Sequence, residues 1–391
     1  MNAKTSRRDF LSVGLSLPVA GAASSVILGK ATEYAALRPS AAAKTPTLYY
    51  RTLGKTGLKV TTVSFGCMIT SDPSVIERAA DIGINYFDTA RVYQHGNNER
   101  MVGAALKKKR KDLYISSKTP SPTKQAALND LDTSLKELGT DHLDIWYLHA
   151  KDDPSNVPDE LFEAQQIAKQ QGKIRFAGLS THAPKKMLPW LVSKGAVEVA
   201  LVTYNFTMDK EVEAAIEQAS NAGLAVVAMK VMAGGFRKTK PEDPLYPKLK
   251  QEGVMLAALK WVIKNPNVHA TIPSMTDMDQ LDENLKAMAE PYTPEEEKLL
   301  AQQLEFISPM YCRMCGSCDG KCAKGLPVAE VLRYLTYADG YGQFALAREK
   351  FLEMPYELSQ VRCNLCPTCT VKCAHGVQVQ ERLARAQELF A

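Results

Sequence analysis

The most constraining feature of this sequence is an alternation of short apolar runs with amphipathic helical segments between about residues 45 and 305. Strands that alternate with helices form βαβ units, whose strands are parallel. Eight runs have the strand pattern, at residues 63–67, 84–88, 113–118, 143–149, 174–180, 197–204, 225–230 and 268–273. Eight such units within about 260 residues are typical of a closed (β/α)8 TIM barrel. The sequence therefore predicts an α/β fold with this barrel as the main domain.

An open, doubly wound sheet is the alternative arrangement of the same units. Its phosphate-binding turn, Gly-x-Gly-x-x-Gly, is missing after the first strand, and Gly234-Gly235 alone predicts a loop. Residues 50–60 predict a small hairpin with Gly at its turn. The Pro-rich polar loop at 240–251 follows the seventh strand, where barrels build their active sites, so it is a candidate substrate lid.

The first 44 residues have the pattern of an export signal followed by a linker. The pair Arg7-Arg8 precedes a weakly apolar stretch at 11–28, which resembles a twin-arginine signal. The alternative is that the Arg-Arg pair occurs by chance in a disordered tail. Small residues at 20–23 and at 41–43 are both possible cleavage sites for the signal. The twin-arginine export machinery transports folded proteins, which suits a cofactor inserted in the cytoplasm. We therefore predict a periplasmic or cell-envelope location.

The overall charge argues against a nucleic-acid partner. Lysine and arginine exceed aspartate and glutamate by 48 − 43, a net charge of +5. The dense basic run at 107–111 closes a predicted helix, and cations are favoured at helix C-termini. No nucleic-acid function is expected.

Four polar residues are predicted to converge at the rim of the barrel. Asp88, Lys118 and His149 end the second, third and fourth strands, and Tyr93 lies in the loop after the second. A tyrosine with a pKa near about 10 is a poor acid at neutral pH. A neighbouring ammonium is expected to lower that pKa, a carboxylate to hold the ammonium in place, and the histidine to orient a carbonyl oxygen. This predicts a carbonyl-reduction site that lacks only a hydride donor.

The motifs around these four residues resemble those of the aldo-keto reductase family. The likeness spans about residues 48 to 290 and includes FDTARVY at 87–93, SK at 117–118, DIWYLH at 144–149, GLS at 178–180 and IPS at 272–274. It implies that Tyr93 is the general acid/base, supported by Lys118 and Asp88, with His149 orienting the substrate. The implied substrate is a small carbonyl or alcohol compound, sugar-like compounds among the candidates. The implied hydride donor is NADP(H).

The resemblance also assigns cofactor-binding positions, and several depart from the family pattern. They are Ser180, Thr181, Tyr204, Met229, Lys230, Ser274, Gln280, Glu283 and Asn284. The family commonly has cationic residues at the positions of Ser274 and Gln280, so the contact with a 2′-phosphate is weakened here. Met229 occupies the place of an aromatic residue that stacks on nicotinamide. The residues therefore support NADP(H) only weakly.

Eight of the nine cysteines fall in two runs with the same spacing, C-x2-C-x2-C-x3-C. The runs are Cys312, Cys315, Cys318 and Cys322, and then Cys363, Cys366, Cys369 and Cys373. This is the spacing of a bacterial ferredoxin half, whose fourth cysteine ligates the other cluster. We therefore predict two [4Fe–4S] clusters, with Cys373 completing the first set and Cys322 the second. With helical segments near 328–337 and 343–351, residues 306–391 resemble a small α-helical ferredoxin-like iron–sulfur domain.

Disulfide bonds and zinc binding are the two alternative uses of these cysteines. Disulfides suit an exported chain, but closely spaced triplets make a poor disulfide framework. Zinc could bind four cysteines of either run, although zinc sites favour paired CxxC elements. The ninth, Cys67, is expected to be a core residue.

The sequence as a whole predicts three regions: a signal peptide and linker (1–44), a barrel (45–305) and a dicluster domain (306–391). The predicted function is an oxidoreductase for a carbonyl/alcohol pair, exchanging electrons with a redox partner protein through the clusters. The alternative is an iron–sulfur electron-transfer protein whose barrel is a non-catalytic binding scaffold. Nicotinamide cofactor is expected to be scarce outside the cytoplasm, so a dinucleotide would be tightly retained or not used.

Overall fold

Eight parallel strands form the central sheet of the computed structural model, which describes residues 47–235 and 253–391. Each strand pairs with the next along the chain. They are β3 Phe65–Gly66, β4 Tyr86–Asp88, β5 Tyr114–Thr119, β6 Leu143–Leu148, β7 Ile174–Thr181, β8 Val199–Thr203, β9 Ala225–Met229 and β10 Ala270–Thr271. All eight predicted strands are present. The predicted signal peptide and linker and the candidate lid at 240–251 lie outside the described residues.

Closure of the sheet depends on contacts between its first and last strands. Parallel bridges join Val63 to Thr271 and Gly66 to Ser274. A Cβ atom at Gly66 would lie 2.4 Å from the carbonyl oxygen of Ile272, so only glycine fits this seam. The predicted (β/α)8 barrel is confirmed, and the open sheet is not formed.

The hairpin before the barrel consists of β1 Tyr50–Thr52 and β2 Lys59–Thr61, paired antiparallel. Its turn places Gly57 at φ 73°, a left-handed conformation that glycine adopts without strain. Leu53, Leu58 and Val60 are buried in the same apolar cluster as residues of the barrel interior such as Ile145. The hairpin therefore packs into one end of the barrel, as a floor to its interior.

Nine helices accompany the strands within the described part of residues 47–307. They are α1 Pro73–Ile82, α2 Asn97–Leu106, α3 Lys124–Leu138, α4 Asp159–Gln170, α5 Pro184–Lys194, α6 Lys210–Asn221, α7 Val254–Ile263, α8 Met278–Ala289 and α9 Pro294–Ile307. Their apolar faces and the outer faces of the strands form the main core. A capping box starts α9: Thr293 accepts a hydrogen bond from the Glu296 backbone, and Glu296 accepts one from the Thr293 backbone.

The C-terminal region forms a helical module with its own core. Its helices are α10 Val328–Asp339, α11 Phe344–Leu352, α12 Tyr356–Ser359 and α13 Val379–Phe390. The predicted helices near 328–337 and 343–351 correspond to α10 and α11. Val331, Phe351 and Phe390 are fully buried within this core. Arg382 of α13 donates to Asp339 of α10 at 2.9 Å, which holds the first and last helices together.

The module packs against the barrel, and the two form one compact unit. Met68, which follows β3, contacts the module's core. Within residues 47–235 and 253–391, no helix has both the length and the hydropathy required to cross a bilayer.

Candidate active site

A cavity of about 350 Å³ lies at the C-terminal ends of the barrel strands. Residues at the ends of β4, β6, β7 and β9 form its base. The opposite wall comes from the module, with Arg333, Tyr334 and Tyr337 of α10 and Tyr341 just beyond it. Arg333, Tyr337 and Tyr341 are spaced four residues apart, the spacing that places side chains on one helical face. The sequence therefore contained a signal for this wall, but our sequence analysis did not use it.

The four predicted catalytic residues meet at the base of this cavity. Lys118 Nζ donates to Asp88 Oδ2 at 2.5 Å and lies 3.4 Å from the Tyr93 hydroxyl. The ring of His149 meets the ring of Tyr93 edge-on, with the centroids 5.8 Å apart. Parallel pairing of β4 with β5 and of β5 with β6 brings these strand ends together. The barrel register thus assembles one group from residues that are distant in sequence.

Burial controls the protonation of these residues. It raises the pKa of Tyr93 well above the usual value, and the negative charge of Asp88 raises it further. The expectation that a neighbouring ammonium lowers the pKa of Tyr93 is therefore wrong. The Lys118 charge is paired with Asp88, so it does not offset the desolvation of a phenolate. Tyr93 therefore holds its proton, as a proton donor must.

Burial and the positive charge of Lys118 lower the pKa of His149 well below the usual value. A neutral imidazole has one N–H donor and one acceptor nitrogen. His149 can therefore donate a hydrogen bond to a substrate oxygen while carrying no charge of its own.

The loop that carries Tyr93 is held by buried polar contacts from α2. Asn98 donates to the Cys67 carbonyl at 2.8 Å and accepts from the Thr89 hydroxyl at 2.6 Å. Glu99 is fully buried, where it pairs with Arg91 and accepts from the Ser117 hydroxyl at 2.5 Å. Asn98 and Glu99 thus fix the loop that carries Tyr93 and do not line the cavity themselves.

The predicted cofactor-binding residues divide into two groups. Six line the cavity, namely Ser180, Met229, Lys230, Ser274, Gln280 and Asn284. Thr181, Tyr204 and Glu283 are not part of its lining. The Thr181 hydroxyl donates instead to Asp152 at 3.0 Å.

Tyr204 points to the outside of the barrel. Its ring packs against Trp261 with centroids 5.0 Å apart, and its hydroxyl is hydrogen-bonded to Glu213 and Asn265. A contact between Tyr204 and a ligand in this cavity is therefore not supported. Strand β8, which ends directly before Tyr204, contributes Leu201 to the lining instead.

Asn284 is a predicted cofactor residue whose buried side-chain amide lacks any hydrogen-bond partner within the described chain. Both its amide oxygen and its amide nitrogen are buried, and the residue lines the cavity from α8. Buried amides are normally paired. The unpaired amide therefore fits a ligand that offers a donor and an acceptor together.

The two cysteine runs lie against each other in the module. The Thr370 hydroxyl donates to the Lys321 carbonyl at 2.8 Å and accepts from the Ala323 N–H at 3.2 Å. All nine cysteines are free thiols, so no disulfide is formed. Cys67 is fully buried in the barrel core.

The cysteine thiols affect one another's pKa values in two groups. Burial raises the pKa of Cys312 to about 12, and the nearby thiols of Cys318, Cys315 and Cys373 add to this effect. Burial likewise raises the pKa of Cys363, with contributions from a second set of thiols, those of Cys366, Cys322 and Cys369. Each group contains three cysteines of one run and the fourth cysteine of the other. Among the described residues, no three His, Cys, Asp or Glu side chains are grouped as ligands of a single metal ion.

Comparisons with known proteins identify the barrel. The model of the aldo/keto reductase family matches residues 71–305. The uncharacterized oxidoreductase YqkF of Bacillus subtilis is 27% identical over 292 residues, covering 64% of this chain and 94% of the relative. The L-glyceraldehyde 3-phosphate reductase of Escherichia coli O157:H7 is 26% identical over 307 residues, covering 62% and 88%. The solved aldo-keto reductase AKR11C1 from Bacillus halodurans, in its holo form, superimposes with a TM-score of 0.57 at 26% identity, covering 66% of this chain and 96% of that one.

Proposed function

The chain belongs to the aldo/keto reductase family and is an oxidoreductase; from this we propose that it interconverts a carbonyl and an alcohol in the barrel cavity, with electrons linked to two [4Fe–4S] clusters in the C-terminal module. The observation that carries the proposal is the contact of Lys118 with both Asp88 and Tyr93 at the base of the cavity.

Tyr93 is the proposed general acid/base. In the direction of reduction, a hydride equivalent reaches the carbonyl carbon while the Tyr93 hydroxyl gives its proton to the carbonyl oxygen. The raised pKa of Tyr93 supports this direction, because the phenol is protonated when substrate arrives. His149, as a neutral imidazole, donates a hydrogen bond that orients the same oxygen. Lys118 lies close enough to stabilise the phenolate once the proton has left.

A nicotinamide dinucleotide is the hydride donor that the family implies, and part of the cavity fits it. The unpaired amide of Asn284 offers a donor and an acceptor for a base edge. Ser180, Met229 and Ser274 line the same cavity as Asn284 and the catalytic residues Asp88, Tyr93 and His149. Such a cofactor would supply two electrons as one hydride. We propose a retained dinucleotide, because the module covers one side of the cavity and the protein is proposed to function outside the cytoplasm.

The cysteine module is proposed to hold the two clusters. The mutual effects of the thiols support two sets of four, each with three cysteines of one run and one of the other. Two clusters that each pass one electron match the two electrons of a hydride.

Export by the twin-arginine route and a periplasmic or cell-envelope location are also proposed. They rest on Arg7-Arg8 and the weakly apolar stretch after them. A redox partner protein would then exchange electrons with the module on that side of the membrane.

The test combines composition with one substitution, using full-length protein purified anaerobically from a cluster-competent host. About eight irons and eight sulfides per chain are expected. Tyr93→Phe should lower carbonyl turnover by about 100-fold or more and leave the iron content unchanged, because the loss is that of a proton donor. Tyr356→Phe, at an exposed position of the module, is the control.

Three results would decide against parts of the proposal. Zinc in place of iron would contradict the clusters. Unchanged turnover in Tyr93→Phe would contradict the barrel chemistry. Iron with no turnover of any carbonyl or alcohol tested would favour the electron-transfer protein with a non-catalytic barrel.

A further inference from the structure

Lys230 is a partly buried cation that lines the cavity without a carboxylate partner in the described chain. It follows β9 and has a left-handed backbone conformation, with φ at 56°. Few non-glycine residues adopt this conformation, and those that do are concentrated at functional sites. Its ammonium lies 4.9 Å from the ring centroid of Tyr337 and 5.6 Å from that of Tyr341. Its neighbours are thus phenol rings contributed by the module.

The other cations at the cavity differ from Lys230 in this respect. Lys118 is paired with Asp88 at 2.5 Å, and Lys350 with Glu353 at 2.7 Å. Arg333 lies 3.3 Å from Glu330. Buried charges are normally paired, because desolvating an isolated charge is costly. A cation that lines a cavity with no counter-charge among the described residues favours an anionic ligand.

The electrostatics of α10, the helix that faces Lys230, agree with an excess of positive charge in the cavity wall. Although burial opposes it, the positive charges of Lys230 and Arg333 lower the pKa of Tyr337 below its usual value. The pKa of Lys230 is itself raised, because Tyr337 and Tyr341 outweigh the effect of burial. Lys230 therefore stays charged, in a wall that stabilises negative charge.

We propose that the substrate carries an acidic group, a carboxylate or a phosphate, and that Lys230 binds this group while the catalytic residues hold the carbonyl or hydroxyl at the base of the same cavity. The inference rests on the proposed function and narrows its substrate to small oxo or hydroxy acids and phosphorylated compounds. Tyr337 and Tyr341 act as positioning residues that hold the ammonium in place. The module thus contributes to substrate selection in addition to its proposed redox role.

The test is a binding measurement that needs no turnover. Anaerobic, full-length protein is titrated by calorimetry with 4-(hydroxymethyl)benzoate and with the uncharged analogue 4-methylbenzyl alcohol. The two ligands have similar shapes and differ mainly in charge. The wild-type protein is expected to bind the acid about tenfold or more tightly than the analogue, and Lys230→Met to remove that preference. Lys230→Arg keeps the charge and should retain a preference for the acid.

Lys350→Met is the matched control, since Lys350 also lines the cavity but has carboxylate partners. It should preserve the preference for the acid. Inorganic pyrophosphate is the third probe, because the phosphates of a nucleotide are the other source of an anion. If Lys230→Met weakens pyrophosphate binding alone, or if the wild-type protein does not prefer the acid, the proposal is wrong. Tyr93→Phe turnover remains a separate measurement, so failure here leaves the barrel chemistry intact.

Discussion

Gly234, in the loop after β9, and Gly340, directly after α10, are in backbone contact. A Cβ atom at Gly340 would lie 2.0 Å from the Gly234 carbonyl oxygen. Through this contact α10 lies close to the barrel rim, which brings Arg333, Tyr337 and Tyr341 into the cavity wall. The cavity therefore belongs to both the barrel and the module, and its shape depends on how closely two glycines approach.

Gly340→Ala should loosen this contact. The added methyl group has no room unless one backbone moves, so we expect unfolding to become easier by about 1–3 kcal/mol. Ligand affinity in the cavity should fall with it. Urea unfolding and the calorimetric titration above measure the two effects. Gly57→Ala, in the hairpin and with open space around its Cβ position, should lower stability without changing affinity. Equal affinity in Gly340→Ala and wild type would mean that the contact does not shape the cavity.

Lys118→Met should destabilise the fold as well as remove activity. It leaves Asp88, a carboxylate 2% exposed, without its ion pair, and breaking a buried pair costs about 3–5 kcal/mol. Adding Asp88→Asn to Lys118→Met removes the unpaired charge. The double variant should therefore recover most of the stability and none of the turnover. Chemical unfolding of wild type, Lys118→Met, Asp88→Asn and the double variant gives the coupling energy. If Lys118→Met is as stable as wild type, the pair is not the buried ion pair described above.

Pairs of cysteine substitutions should reveal how the proposed clusters share their ligands. If Cys312 and Cys373 bind the same cluster, Cys312→Ser with Cys373→Ser should retain about four of eight irons. Cys312→Ser with Cys363→Ser should then lose nearly all iron, since it damages both sets. Iron and sulfide analysis with electron paramagnetic resonance spectra provides the measurement. Cys67→Ser, in the barrel core, should keep full iron content. Loss of nearly all iron in both double variants would mean that each run binds its own cluster, because Cys363 and Cys373 belong to the same run.

Asn284→Leu should separate ligand binding from stability. Replacing a buried amide that has no partner removes a desolvation penalty of about 1–3 kcal/mol, so the ligand-free protein should become more stable. Nucleotide binding should weaken at the same time, because the donor and acceptor are lost. Thermal unfolding and nucleotide titration test both parts. Asn98→Leu is the contrasting variant: its amide is paired on both sides, so it should lose stability. A loss of stability in Asn284→Leu would show that its amide is satisfied.

The barrel could be predicted from local patterns because each strand and helix leaves its own periodicity in the sequence. All eight strand predictions overlap the strands of the structure, and Asp88 and His149 lie at or next to the strand ends, as predicted. The orientation of the Tyr204 side chain could not be predicted from such local patterns. Its position at the end of β8 was foreseen, but the direction of its side chain depends on its packing against Trp261 of α7.

The pKa of Tyr93 shows a second limit. A neighbouring lysine was predicted from the sequence, and that lysine is indeed 3.4 Å away. Whether it lowers the pKa of the phenol depends on how its charge is shared with Asp88 and how deeply all three are buried. Burial is a sum over many neighbours, so no local pattern predicts it.

The sequence alone determined the βα repeat, the family motifs and the two cysteine runs, because each is a pattern of residues that lie close together in the chain. Only the tertiary structure decided that α10 closes the cavity, that Lys230 faces it without a described carboxylate partner, and that the Asn284 amide has no partner in the described chain. The first two features arise from contacts between segments more than a hundred residues apart in the chain, such as Gly234 with Gly340 and Lys230 with Tyr337. Such contacts are fixed by packing, which has no period in the sequence.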